Sequence, residues 1–281
     1  MIYLLCSIAA IMSIVIAYIL NKMALNITKS FDEVILTLKN PEEGMFSVNH
    51  VFEPEFHQDK YVLPCKNTSK LKDAFQIGNS SHLVKEVKRG MQPTYIDDET
   101  DLDSLLWEGM LTTSGKILNR AEGLDNVCVL KSISIRFGYI DFDQARAVSR
   151  DYYDRNCNRA GVKKDDVLIN STGDGTIGRV AVYNKSFPAL VDGHITILRF
   201  DDPIIAWYTA AYLLSPDGQN QIYRYINGSS GQVEIYPQDI ERIWIKPASY
   251  DKMKEIYMAF KSATEKYELF NTELRKALYQ I

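Results

Sequence analysis

Paired cysteines are missing. Cys6, Cys65, Cys128 and Cys157 lie far apart and form no C-x-x-C, a spacing that indicates neither a zinc site nor a disulfide scaffold. Glycine (15) and proline (9) are too few for a low-complexity chain. A basic surplus is missing too: 32 Lys and Arg face 36 Asp and Glu, a formal net charge of -4. The chain therefore lacks the global positive charge common among nucleic-acid binders. There is no H-E-x-x-H, no G-x-S-x-G and no Asn-Pro-Pro-Tyr methyltransferase signature, and Pro216-Asp217 has no downstream D/E-x-K to complete a set of nuclease carboxylates. The four histidines are scattered, and His194, between Gly193 and Ile195 in a strand-like run, reads as a satisfied sheet residue rather than a base. Asp97, Asp98, Glu99, Asp101 and Asp103 lack the sixth-position glycine of an EF-hand loop, since that place is Leu102, and read as a solvated loop. These absences point to a chain with no catalytic chemistry, metal or cofactor of its own.

What is present is a globular composition, 46% apolar and 24% charged over 281 residues, enough for one large or two small domains. Residues 2–20 carry no charge and only Ser7 and Ser13 as interruptions, which meets the length criterion for a membrane-spanning helix. No basic residue precedes the run and no small-x-small cleavage site follows it. Lys22, Lys29 and Lys39 all follow it, a bias that places the bulk of the chain on the cytoplasmic side, anchored to the inner face of the cell membrane. A buried core helix is the competing reading of the same run. Ser30 and Glu33 then form a capping box for a short helix that ends at Asn40-Pro41.

Gly173, Gly175 and Gly178 form G-x-G-x-x-G directly after Val167-Leu168-Ile169. A dinucleotide or Walker site needs a helix next, whose N-terminal amides hold phosphate. Arg179-Val180-Ala181-Val182-Tyr183 follows instead, with the period-two pattern of a strand. The glycines thus join strand to strand. They make a tight loop flanked by the hydroxyls of Ser171, Thr172 and Thr176 and by the guanidinium of Arg179.

Strand-like runs cover Val127 to Leu130, Ile133 to Phe137, Val167 to Ile169, Val180 to Tyr183, Ile195 to Phe200 and Ile243 to Ile245. Two helices are marked by their ends. One has Asp202 as its cap and Pro203 in first position, and Pro216 forbids its continuation; the other runs from Gln219 to Ile226 and stops at Asn227-Gly228. The expected class is α+β, a curved antiparallel sheet with flanking helices.

The glycine run, followed by Asp192-Gly193-His194-Ile195-Thr196-Ile197-Leu198-Arg199, resembles the target recognition domain of type I restriction-modification specificity subunits. The further matches keep the family's order: Lys88-Arg89-Gly90-Met91-Gln92-Pro93, then Tyr212 to Gln219, then Asn227-Gly228-Ser229-Ser230-Gly231-Gln232, then Ile243-Trp244-Ile245-Lys246-Pro247. The resemblance implies recognition of double-stranded DNA in partnership with methyltransferase and endonuclease subunits, which supply the chemistry, with further phosphate contacts from the methyltransferase subunits. Residues 61–246 hold 22 Lys and Arg against 24 Asp and Glu. Any basic face is therefore local, with Arg136, Arg146, Arg150, Arg155, Arg159, Lys163 and Lys164 as its material. The expected DNA contacts are Ser171, Thr172, Thr176, Arg179, Lys185, Ser229, Ser230 and Gln232, where small residues allow close approach. Two other readings stay open: a membrane-tethered nucleotide-dependent enzyme using the glycine loop, and an interaction module of the same fold without a DNA target.

The sequence ends in a seam. Met253, Ile256, Phe260, Ala263, Tyr267, Phe270, Leu274, Ala277 and Ile281 recur at spacings of three and four, predicting a helix ~43 Å long. The expected organisation is an apolar segment (1–25), a short helix and lead-in (26–60), one recognition domain (61–248) and one coiled-coil spacer helix (249–281). One domain with one spacer helix resembles a half-length subunit that pairs with a second copy.

Overall fold

The computed structural model describes residues 54–84, 87–95, 126–228 and 233–278. The apolar run 2–20, the capping box at Ser30, the acidic cluster 97–103 and residues 229–232 lie outside them. Among the described residues no helix is long and apolar enough to cross a membrane. The chain divides into two compact units, Met1–Pro64 and Cys65–Ile281. Of the first, a 3-10 turn (Pro54–His57) and the start of helix α1 (Asp59–Ser69) are described.

The described residues of the second unit form ten short strands: β1 (Phe75–Gln76), β2 (Lys88–Arg89), β3 (Asn126–Leu130), β4 (Arg146–Ser149), β5 (Gly161–Val162), β6 (Val167–Asn170), β7 (Val180–Val182), β8 (Ala189–Val191), β9 (Ile195–Leu198) and β10 (Trp244–Ile245). Helix α2 (Arg150–Ala160) lies between β4 and β5. Helices α3 (Pro203–Leu214), α4 (Pro216–Arg224) and α5 (Pro237–Glu241) separate β9 from β10, and α6 (Tyr250–Leu278) follows.

The strands form two four-stranded sheets, β2-β9-β6-β7 and β4-β3-β8-β5, and a two-stranded ladder β1-β10. The expected single antiparallel sheet is corrected accordingly. The first large sheet is antiparallel throughout, whereas β3 and β8 run parallel, with Cys128 opposite Ala189 and Leu130 opposite Val191. Period-two alternation explains the layering. Cys128, Leu130, Ala189 and Val191 share a core with Leu168, Ala181, Ile195 and Ile197 of the other sheet. Val127, Val129, Val148 and Leu190 point the other way, onto Ala160 and Tyr152 of α2. Helix α3 packs on β6 and β7, burying Trp207 to 1% exposure.

Helix α3 begins as its local chemistry dictates: Asp202 Oδ1 accepts from the Ile204 amide at 2.8 Å, with Pro203 in first position. Helix α4 starts earlier than expected. Ser215 Oγ accepts from the Gly218 amide at 3.2 Å, so Pro216 opens α4 as well as ending α3. A Cβ at Gly218 would lie 2.1 Å from the Tyr212 carbonyl oxygen, so this sharp corner admits only glycine. The Asn227-Gly228 stop is also displaced, since α4 ends at Arg224 with Tyr225 as its cap. The run Ile133 to Phe137 is no strand. Ser134 Oγ accepts from the Lys131 amide at 3.1 Å and the Ser134 amide donates to the Lys131 carbonyl at 2.8 Å, closing a 3-10 turn (Ser132–Ser134) in place of a ladder.

The first half of α6 docks on its own domain. Tyr257 and Phe260 set their rings edge-on to Trp207, with centroids 6.0 and 5.2 Å apart. Thr264 Oγ1 donates to the Gly138 carbonyl at 3.1 Å, and the Tyr267 ring lies 4.2 Å from Tyr139. The seam expectation is therefore corrected at Phe260 and Tyr267, whose rings meet the domain. From Leu269 onward the apolar side chains Leu269, Phe270, Leu274 and Leu278 are exposed.

Candidate nucleic-acid interface

Four segments far apart in sequence meet at one end of the antiparallel sheet. Pairing of β2 with β9 sets Arg89 opposite Thr196, and the Gly90 amide donates to the Ile195 carbonyl at 2.9 Å. The Ser171 amide donates to the His194 carbonyl at 2.8 Å, bringing the start of the glycine loop to the β8–β9 turn. The Gly173 amide donates to the Val233 carbonyl at 3.0 Å and the Ile235 amide to the Ser171 carbonyl at 2.9 Å. Asn227 and Glu234 pair across the base of the 228–233 connection. Arg89 straps this arrangement: its guanidinium donates to the Glu234 carboxylate and, at 2.7 Å, to the Ile235 carbonyl.

The glycine loop turns at Gly173, Gly175 and Gly178, with φ of +92°, +74° and +81°, the left-handed region that side chains disfavour. Gly178 is packed toward α4, where Gln219 Nε2 donates to its carbonyl at 2.9 Å. A Cβ at Gly175 would meet nothing within 4 Å, so the loop tip is open to a close approach. The loop runs straight into β7, antiparallel to β6, and no helix N-terminus follows the glycines. That geometry offers no phosphate cradle of the dinucleotide type.

The expected contact residues divide. Thr172, Thr176 and Arg179 stand on the loop. Thr176 Oγ1 donates to the Thr172 carbonyl at 3.0 Å, and the Arg179 guanidinium arches back to the Gly175 carbonyl at 2.9 Å. Ser171 is corrected: it is fully buried, its hydroxyl 2.5 Å from Thr196 Oγ1 and 3.2 Å from the Ile169 carbonyl. Side-chain alternation turns it inward. Lys185 is corrected as well, since its ammonium donates to Glu268 on α6 at 2.6 Å and sits over the Phe142 ring, a bond between domain and helix. Ser229, Ser230 and Gln232 lie outside the described residues, in the connection whose base Asn227 and Glu234 form. Several of the arginines grouped by sequence are engaged within the domain. Arg136 pairs with Asp141, Arg146 stacks over Tyr95 at 4.0 Å, and Arg155 donates to the Asp151 carbonyl within α2.

Sequence reasoning missed His194. It is an exposed turn residue between β8 and β9, not a sheet residue, with Nδ1 2.6 Å from Thr172 Oγ1. Beside it Asp192 is 2% exposed. Burial pushes this carboxyl above the usual carboxylate range, against the opposing pull of the His194 and Ser132 amides. The signal was present in Asp192-Gly193, a turn-forming pair between two apolar runs.

No family model and no curated protein matches the sequence. Among solved structures, the type IIG restriction endonuclease BpuSI superposes with a TM-score of 0.51 at 10% identity, over 74% of this chain and 28% of that one. A chain of a type I restriction-modification assembly gives a TM-score of 0.36 at 14% identity, over 96% of this chain and 56% of that one. The HsdS subunit from Thermoanaerobacter tengcongensis gives 0.32 at 12% identity, over 73% and 46%. The last two scores carry no argument. The first establishes a shared fold, so the restriction-modification resemblance drawn from the motifs is met at the level of the fold. This chain spans about a quarter of the length of BpuSI.

Proposed function

We propose that this chain is a DNA sequence-recognition subunit of a type I-like restriction-modification system, one that supplies specificity to partner subunits and no chemistry. The observation that carries the reading is the convergence of Arg89, the glycine loop, the β8–β9 turn and the Asn227–Glu234 pair at one end of the antiparallel sheet. Together they present hydroxyl, imidazole and guanidinium groups around an open glycine tip, the group types that reach phosphates and base edges. The fold shared with part of a restriction endonuclease supports the same reading. Within it, Thr172, Thr176 and Arg179, with Ser229, Ser230 and Gln232 of the adjoining connection, form the DNA contact set. Methyltransferase or endonuclease partners, or a second copy of the chain, pack on the α6 face at Phe270 and Leu274. Residues 2–20 hold the chain at the cytoplasmic face of a membrane, and release of the full-length chain by alkaline extraction would overturn that part alone.

The test is selection from a random duplex pool, with and without a modification methyltransferase partner, in the absence of magnesium, nucleotide and S-adenosylmethionine. An enriched motif is expected. Arg179→Ala then costs about 1 to 3 kcal/mol and relaxes preference at one base position. No enriched motif under either condition would overturn the reading and favour an interaction module of the same fold.

A further inference from the structure

We propose that His194 is a base-reading residue of this interface, aimed by Thr172. The inference rests on the DNA-recognition reading and assigns within it a residue that the glycine loop alone does not point to.

His194 is fixed on three sides. Its amide donates to Asp192 Oδ1 at 2.9 Å, its carbonyl accepts from the Ser171 amide at 2.8 Å, and its Nδ1 lies 2.6 Å from Thr172 Oγ1. Backbone and ring are therefore both held before any ligand arrives, which lowers the ordering cost of binding. An imidazole has two ring nitrogens. With Nδ1 engaged by the threonine, Nε2 is the one left to a ligand. When the hydroxyl donates, Nε2 carries the proton and suits a purine N7 or a carbonyl acceptor; when it accepts, Nε2 suits an exocyclic amine.

Arg89 of the same interface is held by Glu234, and Asp192 Oδ1 accepts from the His194 amide. Held at its backbone and at one ring nitrogen, the imidazole has a direction, which is what discrimination between base edges requires. Arg179, on the same loop as Thr172, brings a permanent guanidinium charge.

The experiment uses the full chain and the duplex enriched from the random pool, measured against every single-base substitution of that duplex. His194→Ala is expected to weaken the preferred duplex about five- to tenfold, to flatten discrimination at one base position, and to leave the slope of affinity against salt unchanged. Thr172→Val should flatten the same position, and the double variant should lose clearly less than the sum of the two single losses. Thr172→Ser keeps the hydroxyl and should retain discrimination, which separates aiming from a general disturbance of the loop. Equal weakening on all duplexes with a shallower salt slope would mean a phosphate contact and overturn the proposal, as would unchanged discrimination. If the unaltered chain enriches no motif, the recognition reading itself falls; enrichment that is indifferent to His194 sinks this inference alone.

Discussion

Phe260 separates a helix docked within its own chain from a helix awaiting a partner. In the structure its ring meets Trp207 edge-on, at 5.2 Å between centroids and 84° between planes. Its Cε2 atom lies 3.2 Å from where a Cβ would stand on Gly138. Removing a fully buried Phe side chain costs about 3–5 kcal/mol. Phe260 is half-buried, which brings the burial part to about 2 kcal/mol, and the lost edge-to-face pair adds about 0.5–1.5 kcal/mol. Phe260→Ala should therefore destabilise the domain by about 2.5–3.5 kcal/mol, roughly 5–14 °C in Tm for a unit of this size. The measurement is thermal unfolding at several protein concentrations. A contact inside the chain gives the same loss at every concentration, whereas a contact between chains gives a loss that changes with concentration by mass action. A loss below about 0.5 kcal/mol, or one that varies with concentration, would refute the docking argument.

Phe270 and Leu274 are 59% and 44% exposed, so Phe270→Asp should leave the unfolding temperature of the domain unchanged while abolishing any association through α6, read by sedimentation. Burial raises the carboxyls of both Asp166 and Asp192, yet their amides should behave oppositely. Asp166 accepts from Arg199 Nε at 2.7 Å, and the Arg199 side chain is 13% exposed. Asp166→Asn therefore strands a buried guanidinium and should cost about 3–5 kcal/mol in chemical denaturation. Asp192 Oδ1 accepts from the His194 amide, a bond that an Asn oxygen also makes. Because its folded-state pKa is raised, the stability it contributes is fully present in acid, below the ordinary carboxylate value, and is lost as pH rises through the folded-state value. Asp192→Asn should therefore be neutral or stabilising at pH 7 and lose that advantage on acidification; a penalty at pH 7 would contradict the sign.

The features legible in the sequence were those whose causes are local. Asp202, Pro203 and Ser215 act within one helical turn, so the cap and start of α3 follow from the residues themselves, as do the apolar runs that became β3, β6, β7 and β9. Helix α2 was missed because it turns little more than Tyr152, Tyr153 and Ala160 toward the core, and its other residues carry the charge of a surface. Strand partnership is a different kind of fact. The parallel union of β3 with β8 depends on α2, β5, β6 and β7 folding in between, and no periodicity encodes it.

The candidate site shows the same division more sharply. Ser171 and Thr172 are adjacent hydroxyls beside the same glycine, chemically interchangeable in a sequence motif. Alternation along the strand sends the first inward to Thr196 and leaves the second beside His194. Which of the two is inward depends on the register of β6 against β9, where Asn170 pairs with Ile195. A slip of one residue would exchange their roles. Lys185 is decided at still longer range, by a glutamate on α6 that reaches it only once the helix has docked through Tyr257 and Phe260. Motif spacing therefore placed the loop between two strands and assigned its side chains by composition, whereas which of them stay exposed and which make internal bonds is set by register and by helix docking.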